Sequence, residues 1–104
     1  MWKRVCRADE VPANGLKHVE VEGGPPVVVA NARDEFFACQ AFCPHQAVSL
    51  ADGVHDGSVL TCLEHLWQFD LRTGAAMGGA EAPVTSYRIK CENGELYMWV
   101  TPLR

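Results

Sequence analysis

Two short segments far apart in this 104-residue chain, Cys43-Pro44-His45 and Cys62-Leu63-Glu64-His65, each carry one thiol and one imidazole. Residues 46–61 separate them. A single metal centre can use both pairs only if two loops are brought tip to tip, so the scaffold must hold two turns side by side. That requirement constrains the fold more than any other feature of the sequence.

Two chemistries suit the donor set. A [2Fe-2S] cluster takes both thiolates on one iron and both imidazoles on the other. Tetrahedral zinc also accepts two cysteines and two histidines, but zinc fingers usually pair cysteine with cysteine, whereas here each pair is mixed. The remaining thiols, Cys6, Cys39 and Cys91, read as reduced cysteines, with Cys39 and Cys91 as small core residues on alternating strands. No disulfide is expected. His18 and His55 have no cysteine at ligand spacing and read as surface histidines.

The rest of the chain alternates as short strands do. Val19 and Val21 alternate with Glu20 and Glu22, and Val27-Val28-Val29 forms an apolar run after Pro25-Pro26. Residues 35–39 follow the polar turn Asn31-Ala32-Arg33-Asp34, which predicts a hairpin with that run. Tyr87, Ile89 and Cys91 alternate with Arg88 and Lys90, and Asn93-Gly94 then leads into residues 96–100, a second hairpin. A helical turn fits only Ala8 to Val11, before Pro12 and Asn14-Gly15. Cys43 follows the 36–37 strand and Cys62 ends a strand over 58–61, so both pairs lie where strands give way to turns. Pro44 fixes its own φ and stiffens the first tip.

Length and charge narrow the function. One domain over 1–104 leaves little room for a second catalytic module. A formal charge of -4 argues against nucleic acid as the partner. The N-terminal residues are basic without a following apolar stretch, and no window reaches membrane-spanning length, so a cytoplasmic monomer is expected.

The motifs Cys43-Pro44-His45-Gln46, Leu50-Ala51-Asp52-Gly53, Leu60-Thr61-Cys62 and His65-Leu66-Trp67-Gln68-Phe69-Asp70, followed by Thr73-Gly74, resemble those of the Rieske ferredoxins. Within that family they are most similar to the ferredoxin components of toluene and alkene monooxygenase systems. The resemblance spans nearly the whole chain. It implies an all-β Rieske fold of three antiparallel sheets, with a cluster-binding subdomain of two hairpin loops at about 42–50 and 61–70. It further implies that His45 and His65 bind through ring nitrogens and turn their outer edges to a partner protein.

By the same resemblance the chain is not itself an enzyme. It carries one electron from an NADH-dependent flavin or iron-sulfur reductase to the hydroxylase of a diiron monooxygenase acting on aromatic hydrocarbons or alkenes. A ring-hydroxylating dioxygenase is the alternative acceptor, and a structural zinc or redox-sensing module the remote one. Pro44, Gln46, Glu64 and Trp67 border the ligands and are candidates for docking or for supporting the site, with Asp52, Asp56 and Glu81 as further docking charges. Residues 78–83, with Met77, could form a third loop over the cluster. In respiratory Rieske proteins each loop adds a cysteine, whereas Val48 and Glu64 stand at those places here. This puts the expected midpoint at the lower part of a span of roughly -150 to +300 mV.

Overall fold

The computed structural model describes residues 1–64 and 66–101. His65, one of the four expected ligands, therefore lies outside the described residues. Among the described residues eleven strands form three antiparallel sheets. The first contains β1 (Trp2–Arg7), β11 (Glu95–Trp99) and β10 (Ile89–Glu92) in that order. The second runs β2 (Leu16–Glu20), β3 (Pro26–Ala32), β4 (Glu35–Gln40) and β9 (Ser86–Tyr87). The third runs β5 (Val54–His55), β6 (Val59–Thr61), β7 (Gln68–Asp70) and β8 (Ala76–Met77). Single 3-10 turns occupy Ala8–Glu10, as expected, and Leu50–Asp52. Among the described residues no helix is long and apolar enough to cross a membrane.

Both expected hairpins are present. In the β3–β4 turn, Arg33 and Asp34 both take positive φ, 56° and 66°, and the Asp34 N–H donates to Asn31 Oδ1 at 2.8 Å. In the β10–β11 turn, Asn93 and Gly94 do the same, at 53° and 77°. Two consecutive left-handed residues give a turn whose twist matches that of the strands it joins.

The Val27-Val28-Val29 run is apolar throughout because β3 is covered on both faces. Alternate side chains of a strand point opposite ways, so Val28 joins Leu50, Leu60, Phe69, Cys43 and Cys62 in one buried group. Val27 and Val29 join Val5, Leu96 and Met98 in the other. A bulge in β1 between Arg4 and Cys6 turns two successive residues, Val5 and Cys6, into that second group. Across the surface, Arg72 grips Glu35 at 2.9 and 3.0 Å and lies over the Phe37 ring, an exposed link that contributes little beyond register.

Two expectations are corrected. The alternating run around Tyr87 is not one strand: Ser86 and Tyr87 pair with β4, then residues 89–92 pair with β11, so the chain changes sheets at Arg88. Cys91, near the tip of the second hairpin, is exposed and not a core thiol. Period-two alternation looks the same when a strand serves two sheets and when its last residues overhang the core.

Cys39 is buried as expected, and desolvation pushes its thiol up to about 12. Cys6 is also raised, mainly by burial. A thiol raised in the fold favours the folded state fully below its ordinary value and loses that contribution as pH climbs toward the folded value, here between 9.0 and about 12 for Cys39. In native protein at neutral pH a thiol reagent should label Cys91 within minutes while Cys6 and Cys39 react only after unfolding. Peptide mapping of the labelled chain checks this, and early labelling of Cys39 would contradict it.

Candidate metal centre

The first loop leaves β4 and is closed at its neck by backbone bonds. Cys43 N–H donates to Val48 O at 3.0 Å, Leu50 N–H donates to Ala41 O at 2.7 Å, and Phe42 and Ser49 form an isolated antiparallel bridge. Inside it, Val48 N–H donates to Gln46 O at 2.7 Å. The second loop leaves β6 and returns as β7, with Cys62 N–H donating to Trp67 O at 2.8 Å. Leu66 takes φ 57°, a left-handed conformation that is uncommon for a branched side chain.

Two glycines allow close backbone approaches beside the loops. Gly53 ends the Leu50–Asp52 turn so close to β6 that a Cβ there would lie 2.2 Å from the Thr61 carbonyl oxygen, next to Cys62. Gly74, at φ 79°, would put a Cβ 2.2 Å from Val84 O. Before it, Asp70 Oδ1 accepts from the N–H groups of Arg72 and Thr73 at 2.8 and 3.0 Å, which shapes the turn leaving β7. These contacts explain why Gly53, Asp70 and Gly74 stand where they do.

The two cysteines come together at the base of the loops. Cys43 is 4% and Cys62 1% exposed, and their thiols are within hydrogen-bonding reach. Burial raises the Cys62 thiol above its ordinary value, the Glu64 N–H directed at the sulfur lowers it, and Cys43 raises it again. Two adjacent buried thiols resist joint ionisation unless a cation lies between them. The Glu64 amide already supplies the kind of outer hydrogen bond that tunes thiolates bound to metal. The donor set therefore fits an iron-sulfur cluster.

His45 stands at the next level outward. It is half-buried with Nδ1 shut off from solvent, and its ring lies 4.6 Å from that of Trp67 at a 33° tilt. Trp67 also meets Phe69 edge-on at 6.4 Å and packs on the buried group containing both cysteines. It thus fills the core and backs a candidate ligand at once. Among the described residues no three His, Cys, Asp or Glu side chains form a metal site by themselves. The fourth candidate, His65, is the one outside them.

Pro44, Gln46 and Glu64 are exposed on the loops. Leu63 and Leu66, 56% and 62% exposed, were not singled out from sequence, since apolar residues beside Trp67 and Phe69 read there as core. Ala80, in the 78–83 segment, packs on the buried group that contains Cys43 and Cys62, and Met77 is partly exposed in β8. Asp56 is exposed, and its Oδ1 accepts from the Ser58 and Val59 N–H groups, which hold its carboxyl below the usual value. His55 is likewise engaged, with Nε2 3.0 Å from Gly15 O and Nδ1 accepting from Gly57 N–H at 3.1 Å. His18, expected at the surface, is part-buried against the first loop, 3.0 Å from Ser49 Oγ.

Nearly the whole chain also resembles known proteins. The family model for the Rieske [2Fe-2S] domain matches residues 1–88. The ferredoxin subunit of methanesulfonate monooxygenase from Methylosulfonomonas methylovora is 37% identical over 95% of this chain and 80% of its own length. The ferredoxin component of the alkene monooxygenase system of Xanthobacter autotrophicus is 31% identical over 95% of this chain and 81% of its own. Among solved structures, a chain of the complex of reduced oxygenase and oxidised ferredoxin in carbazole 1,9a-dioxygenase superposes with a TM-score of 0.83 at 28% identity, covering 93% of this chain and 91% of that one.

Replacing Gly53 by alanine should force the Leu50–Asp52 turn away from β6 and destabilise the fold by about 2 kcal/mol. Chelator-driven iron loss should accelerate in the same variant. Thermal unfolding and absorbance under chelator measure the two effects, and a variant unchanged in both would show that the contact can relax freely.

Proposed function

This chain belongs to the Rieske [2Fe-2S] domain family, and we propose that Cys43, His45, Cys62 and His65 hold its one cluster, the cysteines on the inner iron and the histidines on the outer. The observation that carries the assignment is the meeting of two buried thiols at the necks of two loops, with His45 stacked on Trp67 above them. The domain is taken to run through 1–104, because β11 pairs with β1.

The chain is an electron carrier for an oxygenase system and not the oxygenase itself. When bound, the cluster supplies a one-electron couple, which two neutral imidazole ligands in place of thiolates bring to roughly -150 to +300 mV. The protein's own groups set the conditions for that couple. Burial of Cys43 and Cys62 excludes water from the sulfur end, and the Glu64 N–H stabilises negative charge on Cys62. Pro44 stiffens the first tip, and Trp67 holds the His45 ring in place. Val48 and Glu64, where a cross-loop disulfide would need cysteines, favour the lower part of the span.

The acceptor is the hydroxylase of a diiron monooxygenase, and the donor an NADH-dependent flavin or iron-sulfur reductase. The monooxygenase ferredoxins among the relatives support a monooxygenase as the acceptor. A ring-hydroxylating dioxygenase is the second reading, favoured by the likeness to the ferredoxin of the carbazole system. Docking uses the loop surface, where Leu63 and Leu66 add apolar area to Pro44, Gln46 and Glu64.

Turnover tests the reading. The cluster-loaded protein should support substrate oxygenation only when reductase and hydroxylase are both present. Serine at Leu63 and Leu66 together should raise the KM for the ferredoxin about tenfold with kcat and midpoint unchanged. A loaded protein that the reductase cannot reduce would defeat the carrier assignment, whereas an unchanged KM would defeat the docking surface alone.

A further inference from the structure

Outside the four candidate ligands, His18 reaches the first loop from the neighbouring sheet. We propose that His18 is a positioning residue that clamps the neck of the first ligand loop. Its ring touches both members of the bridge that closes the loop: Nδ1 lies 3.0 Å from Ser49 Oγ, and the ring meets Phe42 edge-on at 5.6 Å and 68°. Phe42 and Ser49 are the last residues before Cys43 and the first after Val48, so a contact with both holds the ends of the segment bearing Cys43 and His45.

The direction of the hydrogen bonds follows from their acceptors. Nε2 lies 2.7 Å from the Glu20 carboxylate, which in its ionised form can only accept, so Nε2 carries the proton. In the neutral ring Nδ1 then accepts, and the Ser49 hydroxyl donates to it. The Ser49 oxygen keeps a lone pair for the Ala51 N–H at 3.2 Å, which caps the Leu50–Asp52 turn. Glu20 thus fixes the ring, the ring fixes the Ser49 rotor, and Ser49 ties the loop neck to the turn that Gly53 seats against β6. The His18 side chain is 29% exposed and that of Glu20 76%, so the bond to Ser49 is partly shielded from water while the bond to Glu20 lies at the surface.

This clamp bears on the cluster only through the reading of Cys43 and His45 as ligands, but its mechanical part is separable. The test is hydrogen exchange by mass spectrometry on cluster-loaded protein, followed over residues 41–50, with iron content measured in parallel. In His18→Ala, exchange over 41–50 and chelator-driven iron loss should both accelerate about five- to tenfold, the effect of one lost hydrogen bond and its packing, while residues 26–40 stay protected. Asparagine places an amide oxygen near Nδ1, so His18→Asn should largely restore protection. Glutamine reaches toward Glu20 instead, so His18→Gln should behave like alanine.

Unchanged exchange in His18→Ala, equal rescue by Gln and Asn, or loosening spread evenly over the chain would overturn the clamp. If His18→Ala does not fold, Ser49→Ala removes the other end of the same bond, and unchanged exchange over 41–50 there would overturn it equally. Absence of iron from the wild-type protein would instead count against the cluster assignment, leaving the exchange result to decide the clamp.

Discussion

The site depends on the placement of Cys43 and Cys62 side by side in the core while the residues after them run outward. Each thiol sits at a loop neck pinned by its own backbone N–H, to Val48 O in one loop and Trp67 O in the other. Burial raises the Cys62 thiol, and a cation bound there offsets that cost. The same arrangement orders the donors by depth: sulfur inside, imidazole toward the surface. A carrier needs that gradient, since one end must be insulated from water and the other must come near a partner.

Everything beneath the loops serves to keep the two necks together. β3 is covered on both sides, and one of its faces looks into the group that contains both cysteines, Leu50, Leu60 and Phe69. Gly53 lets the Leu50–Asp52 turn approach β6 closely, at the Thr61 carbonyl. Trp67 bridges from that core to His45. His18 reaches in from β2 to the first neck. Contacts from two sheets therefore meet on loops that have little regular structure of their own.

Much of this was legible in the sequence, and the parts that were not share a reason. The β10–β11 hairpin showed itself because Asn93-Gly94 tolerates positive φ, the β3–β4 hairpin through its polar turn between apolar runs, and the ligand candidates because mixed cysteine and histidine pairs are rare at such spacing. Alternation was informative about strands but silent about which sheet they join, so the change of sheet at Arg88 and the overhang of Cys91 were missed. His18 was missed because its partners, Phe42 and Ser49, are remote in sequence and become neighbours only when β2 packs beside the first loop. Leu63 and Leu66 were missed because an exposed leucine and a core leucine look alike in a short apolar run. His65, the ligand candidate outside the described residues, rests on its motif.

The central claim is that two thiolates and two imidazoles share one cluster. Electron-nuclear double resonance on the reduced protein, with histidine labelled by nitrogen-15, tests it most directly. Two distinct labelled nitrogens should couple to the cluster spin, and His45→Cys or His65→Cys should each remove one. A colourless protein containing zinc, or an iron protein with no coupled histidine nitrogen, would contradict the account.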